Sequence, residues 1–148
     1  MELPPGWNID ELKARVSKRL PTPEDVIKAR YDYVRLTVRK SSQPPGYRDK
    51  VTIFYHMTPE SWLRALVTAA AVKLPLWRVI TPWGSDGAVY YVFYDEEDRV
   101  HVFRGTYGYG GCGPHQSALI EAFIDRYLGG LYFENRDGDY LLGLLKLT

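Results

Sequence analysis

The run AVYYVFYD, residues 88–95, is apolar or aromatic at almost every position, and the acidic turn DEED leads directly back into RVHVFRG, residues 99–105. β-Branched and aromatic residues in such density favour a pleated, half-buried surface. A strand that is apolar on both faces needs cover on both, so the first run reads as a central strand. The short acidic turn makes the two runs a hairpin. A chain built on this hairpin has to extend it into a sheet and cover that sheet with other elements.

The flanking sequence offers both. Residues 9–20, IDELKARVSKRL, place Ile9, Leu12, Val16 and Leu20 on one helical face. Thr22-Pro23-Glu24-Asp25 reads as an N-cap, a proline at the first helical position and an acidic first turn, and predicts a helix to about Tyr31. Val34, Leu36 and Val38 then alternate with Arg35, Thr37 and Arg39, the period of a strand. A continued helix is the competing reading, since Ile27, Tyr31, Val34 and Val38 also fit a helical period. SSQPPGYRD, residues 41–49, is a loop, and KVTIFYHM, residues 50–57, is a strand. Thr58-Pro59-Glu60 repeats the helix-start signature, with Trp62, Leu63, Leu66, Val67 and Ala70 amphipathic before a stop ahead of Pro75.

LWRVI, residues 76–80, is a short strand, and TPWGSDG, residues 81–87, a loop. After the central hairpin and a glycine-rich loop, a helix runs from about His115 to Leu128, with Leu119, Phe123, Ile124 and Tyr127 inward and Gly129 as its stop. Residues 131–148 read as a hairpin turning at Asp137-Gly138. The expectation is one α+β domain over residues 1–148, a mostly antiparallel sheet with helices packed against it.

Charge and cysteine usage bound the function. The chain of 148 residues has a formal net charge of +1, which leaves no global nucleic-acid footprint. Residues 1–50 hold eleven Lys/Arg against seven Asp/Glu (+4), and the remainder eight against eleven (−3). The single cysteine, Cys112, leaves no intramolecular disulfide and suits a reducing compartment. The start MELPPGWNID carries neither a basic n-region nor an apolar h-region, and no apolar stretch reaches the roughly 18 residues of a spanning helix. The expected location is cytoplasmic, with no membrane partner. Two Asn, two Gln and twelve Arg against seven Lys lean toward a heat-adapted source. Twelve tyrosines are compatible with a homodimer.

The candidate ligand surface is the glycine loop GTYGYGGCGPH, residues 105–115, which lies between a strand and a helix. Glycines let backbone N–H groups approach a ligand closely, and a helix N-terminus adds partial positive charge. Arg104, Gly110, Gly111, Gly113 and His115 form the expected ligand-facing set, suited to an anion or a nucleotide. The spacing matches neither a P-loop nor a dinucleotide fingerprint, so a tight strand-to-helix corner is the competing reading.

Residues 108–119, GYGGCGPHQSAL, resemble a Gly-Tyr-Gly-Gly-Ser-Gly-Pro-x-Gln-Leu-Ala-Leu signature of a family of small bacterial and phage proteins of no known function. The match comprises Gly108, Tyr109, Gly110, Gly111, Gly113, Pro114, Gln116, Ala118 and Leu119. It implies a viral or mobile-element setting. Cys112 stands where that family has serine, and Ser117 where it has leucine. Cys112 thus occupies a small-residue position tolerant of a hydroxyl, which argues against a mechanism that needs a thiolate. Cys112 with His115 also spells half a zinc site, but no second cysteine completes it, and His56 and His101 lie on strands without metal spacing. No metal and no cofactor is expected.

Two further patterns compete. FYHMTPESWLRALVTAA followed by GAVYYVF is similar to the ADP-ribosyltransferase order, in which a His-x-Thr strand and a later tyrosine-bearing strand hold NAD. That resemblance implies His56 on the NAD ribose, Tyr90 or Tyr91 on nicotinamide, and Glu134 as the catalytic acid. The plain alternative is a strand-end histidine beside a Thr58 helix cap. Arg35, Arg39, Lys40, Tyr47, Arg48 and Lys50, with the basic first helix, are a basic and aromatic set suited to nucleic acid, or a solvated sheet face. NRDGD carries Asn135, Asp137 and Asp139 at alternate positions, but Tyr140 and Lys146 stand where an EF-hand needs Gly and Glu, so it is a turn. The favoured reading is an accessory binding protein rather than an enzyme.

Overall fold

Thr22 starts the first helix in the way its neighbours dictate. The computed structural model describes residues 20–39, 50–70, 76–80, 88–106 and 112–129. Within them, α1 spans Pro23–Lys28, and a reciprocal capping box closes its N-terminus. The Asp25 N–H donates to Thr22 Oγ1 at 3.2 Å while the Thr22 N–H donates to Asp25 Oδ2 at 3.3 Å. The helix ends at Lys28, short of the expected Tyr31, because Ala29 is already extended. Asp32 is tied elsewhere: its N–H donates to Ser61 Oγ at 2.8 Å, and its carbonyl accepts the Met57 N–H at 2.8 Å. Those two bonds draw residues 29–32 out as a connector.

Strand β1 (Tyr33–Arg39) follows, so the alternating reading of this segment holds against the helical one. Then come β2 (Lys50–His56), α2 (Pro59–Ala70), β3 (Leu76–Ile80), β4 (Ala88–Tyr94), β5 (Val100–Thr106) and α3 (Cys112–Tyr127). The five strands stand in the order β1-β2-β5-β4-β3. Every neighbouring pair is antiparallel except β2 with β5. The protein is an α+β fold with a mostly antiparallel sheet. The β4–β5 turn is closed by Asp95, whose N–H donates to the Arg99 carbonyl at 2.9 Å. Asp98 takes the left-handed conformation there, with φ 59°, a geometry that aspartate tolerates better than most residues.

Strand alternation sorts the core into two clusters. On one face Leu76, Val89, Tyr91, Phe93 and Phe103 meet Val26 of α1, Trp62, Leu63 and Leu66 of α2, and Ile120, Phe123 and Ile124 of α3. On the other, Val38, Val51, Ile53, Ala88, Tyr90, Val92, Val100 and Val102 form a cluster that, among the described residues, is drawn from strands. All of β4 but its last residue is buried, as an interior strand apolar on both faces requires.

Helix α3 begins at Cys112, three residues before the expected His115. Phe123 and Ile124 are buried as expected, while Leu119 and Tyr127 only flank the core. Ala118, Ile120, Glu121 and Ala122 are buried as well, because α3 packs against both β5 and the neighbouring α2 and is covered over more than one stripe. Gly129, at φ 66°, supplies the left-handed stop. Among the described residues no helix is long and apolar enough to cross a membrane. Most of the helix at 9–20, the loop at 41–49 and the terminal hairpin at 131–148 lie outside the described residues.

Candidate functional site

Parallel pairing of β2 with β5 sets Phe54 beside His101, which brings His56 at the end of β2 against the same ring. His56 Nε2 lies 3.0 Å from His101 Nδ1. His101 Nε2 reaches Asp95 Oδ2 at 3.0 Å across the β4–β5 turn, and His56 Nδ1 reaches Ser61 Oγ at 2.8 Å in the first turn of α2. Ser61 is placed by its helix cap, since its N–H donates to Thr58 Oγ1 at 3.2 Å. The result is one continuous chain, Asp95–His101–His56–Ser61, closed by the Asp32 N–H on the serine oxygen.

The proton positions follow from donor and acceptor capacity. A carboxylate only accepts, so the proton facing Asp95 sits on His101 Nε2. A neutral His101 then accepts at Nδ1, and His56 must donate from Nε2. His56 Nδ1 accepts in turn from the Ser61 hydroxyl. Burial, with the neighbouring His101 ring, pushes the His56 pKa down to about 3. Burial also lowers His101, outweighing the opposite pull of Asp95. The cause is visible in the packing. The His101 ring stacks parallel on Phe93, with centroids 4.6 Å apart, and lies 4.9 Å from Phe54. Burial alone raises the Asp95 carboxyl, but hydrogen bonds from His101, Arg99 and Glu97 bring it below the usual aspartate value.

An acid, two histidines and a serine are the residue types of a nucleophile relay. Here they are fully committed to one another. Ser61 is wholly buried and His56 is 4% exposed. Asp95 Oδ1 accepts the backbone N–H groups of Glu97 and Arg99, while Oδ2 accepts Arg99 Nε and His101. Every ring nitrogen of the two histidines is engaged within the chain. The chain acts as a clip that joins Asp32 before β1, the end of β2, the start of α2, β5 and the β4–β5 turn.

Its Asp95–His101 end borders an open cleft of about 290 Å³ between α2 and the hairpin. Phe93 and His101 form part of the lining with Ala65, Thr68 and Ala69 of α2, and Glu96, Glu97 and Arg99 come from the turn and its exit. Tyr31 is another lining residue, and the Arg64 guanidinium lies 4.0 Å over its ring. Glu97 pairs with Arg99 at 3.5 Å.

A second buried constellation lies beneath α3. Glu121 Oε1 accepts from Arg78 Nη1 at 3.1 Å and from the Tyr91 hydroxyl at 3.0 Å. Burial raises the Glu121 pKa despite the guanidinium beside it. Burial and the Glu121 charge push Tyr91 well above its usual value.

The expected ligand-facing set is split. Arg104 pairs in register with Tyr90, which belongs to the second core cluster, so Arg104 lies on the face opposite α3. His115 is exposed in the first turn of α3, Gly113 lies in the same turn, and Gly110 and Gly111 are outside the described residues. Gly105 has a structural role: a Cβ there would overlap Ser117 Oγ, so glycine is what lets α3 sit on β5. For the NAD pattern, His56 and Tyr90 sit on opposite faces of the sheet, Tyr91 is bonded to Glu121, and Glu134 is outside the described residues. Of the basic set, Arg35 and Lys50 are exposed, while Lys40, Tyr47 and Arg48 are outside the described residues. Among the described residues no group of three His, Cys, Asp or Glu is arranged to hold a metal ion.

Sequence reasoning missed Ser61, His101 and Asp95 as a unit. His101 was legible only as a strand residue and Asp95 only as a turn residue. Comparison of the chain with protein-family models, curated proteins and solved structures returns no match.

Proposed function

We propose that the protein is a small accessory binding protein of the cytoplasm, with no catalytic role for the buried histidine chain, and that its ligand cleft lies between α2 and the β4–β5 turn. The observation that carries this reading is the pairing around that cleft. The acid, base and hydroxyl groups that could do chemistry are saturated by one another, which leaves a concave surface backed by a rigid network. At about 290 Å³ the cleft suits a compact ligand rather than a dinucleotide. Asp95, Glu96 and Glu97 outnumber Arg99 in the lining, which favours a small organic cation such as an amine. An NAD-using reaction centred on His56 would require that buried ring to give up one of its two partners, so binding is the favoured reading.

A second reading keeps the glycine corner as an anion site. It is supported by the start of α3 at Cys112, directly after the glycines, which directs the helix N-terminus toward that loop. A thermal-shift series tests both. Saturable stabilisation by small amines, lost in Glu96→Gln, supports the cleft. Stabilisation by nucleotides or inorganic phosphate, lost in His115→Ala and retained in Glu96→Gln, supports the corner instead. No shift with either class defeats both ligand assignments.

A further inference from the structure

Strand β1 is an edge of the sheet, paired on one side with β2 over seven consecutive residues without a bulge. Among the described residues no backbone partner lies on its other side. Natural edge strands are protected by proline, bulges, inward-pointing charge or brevity. Tyr33–Arg39 has no proline and no bulge, and it exposes apolar surface, with Tyr33 at 45% and Val34 at 48%. Beside it stand exposed Tyr31, whose ring meets Tyr33, and Met57, bonded to Asp32 just before the strand.

We propose that β1 is a homodimer interface, in which two copies of the chain pair β1 antiparallel about a two-fold axis through Leu36. The partner is identified by the strand's own sequence. An antiparallel pair made by a two-fold preserves the faces of the sheet, so a residue can oppose only residues that point the same way. The axis must therefore pass through a single residue. Centred on Leu36, all seven residues pair: Leu36 with Leu36, Val34 with Val38, Arg35 with Thr37, and Tyr33 with Arg39. Apolar residues meet apolar residues on one face, and no like charges stand opposite. Moving the axis to Arg35 sets two arginines against each other, and moving it to Thr37 sets Arg35 against Arg39. Like charges directly opposite are destabilising, and both shifts also leave residues unpaired. The Leu36 register thus uses the whole strand and carries no charge conflict, whereas axes at Val34 or Val38 leave most of the strand unpaired. Pairing joins the two sheets into one continuous sheet and covers the β1 edge of each copy.

The test is sedimentation velocity on the full chain, combined with site-specific cross-linking. The wild type sediments at twice the 17.0 kDa chain mass at micromolar concentration, and Leu36→Lys, which places two cations on the axis, sediments at the single mass with unchanged circular dichroism. In a Cys112→Ser background, Leu36→Cys forms a covalent dimer with a short bis-maleimide. Val34→Cys, facing Val38 of the second copy, forms several-fold less. A wild type that stays monomeric, or equal cross-linking at the two positions, overturns the proposal. If Leu36→Lys fails to fold, the cross-linking ratio decides alone.

Discussion

Acid should weaken this protein through His56 before it weakens it through its carboxylates. The ring is 4% exposed and its pKa is held at about 3 in the folded chain, against roughly 6.5 in the unfolded chain. A histidine with a depressed folded pKa is neutral when folded, so its contribution is complete above the unfolded pKa. It is lost as the pH falls from there toward the folded value. One pKa unit corresponds to about 1.4 kcal/mol, so at about pH 5 the unfolded chain gains roughly 2 kcal/mol from protonation of this one residue. His101, also lowered, adds to the same loss, and the depressed Asp95 extends it to still lower pH. Urea denaturation followed by tryptophan fluorescence between about pH 7.5 and 5 should show the midpoint falling. The non-titrating His56→Gln should be less stable at neutral pH but show a flatter dependence. An unchanged pH slope in His56→Gln would refute the assignment of the acid sensitivity to this ring.

Other substitutions probe the same packing. Arg78→Met leaves the Glu121 carboxylate buried without its cation, and chemical denaturation should register a loss of about 3–5 kcal/mol. Gly105→Ala drives a methyl into Ser117 Oγ and should cost about 1–3 kcal/mol. The double variant with Ser117→Ala should recover part of that loss, and strict additivity would contradict the contact. Ser61→Ala strips the Asp32 N–H and His56 Nδ1 of one partner each. It should cost about 1–3 kcal/mol, with faster amide exchange at Asp32 as the local signature. Thr22→Ala, which removes the α1 cap, should lower stability by about 1 kcal/mol.

What the amino-acid sequence determined by itself was local. Thr22 and Thr58 with the prolines after them start helices, because a side-chain oxygen and a preset φ satisfy the first turn within a few residues. The DEED turn makes a hairpin because Asp95 and Asp98 close it over four residues. Alternation in β1 and the doubly apolar β4 likewise announced a strand and its burial.

Beyond the β4–β5 hairpin, tertiary structure alone decided which strand neighbours which. His56 and His101, 45 residues apart, meet because β5 returns parallel to β2, and Ser61 and Asp32, 29 apart, because β1 pairs antiparallel with β2. Periodicity states which face a side chain takes, and is silent about the strand beside it. Which face α3 covers was decided only in the assembled sheet, and it divided the glycine-corner set, since Arg104 lies on the opposite face. Strand pairing also turned His56 from a candidate at a strand end into the middle of a closed hydrogen-bond chain. Local signals act through bonds spanning a few residues, whereas the cleft and its backing network are built from contacts that exist only once the sheet is assembled.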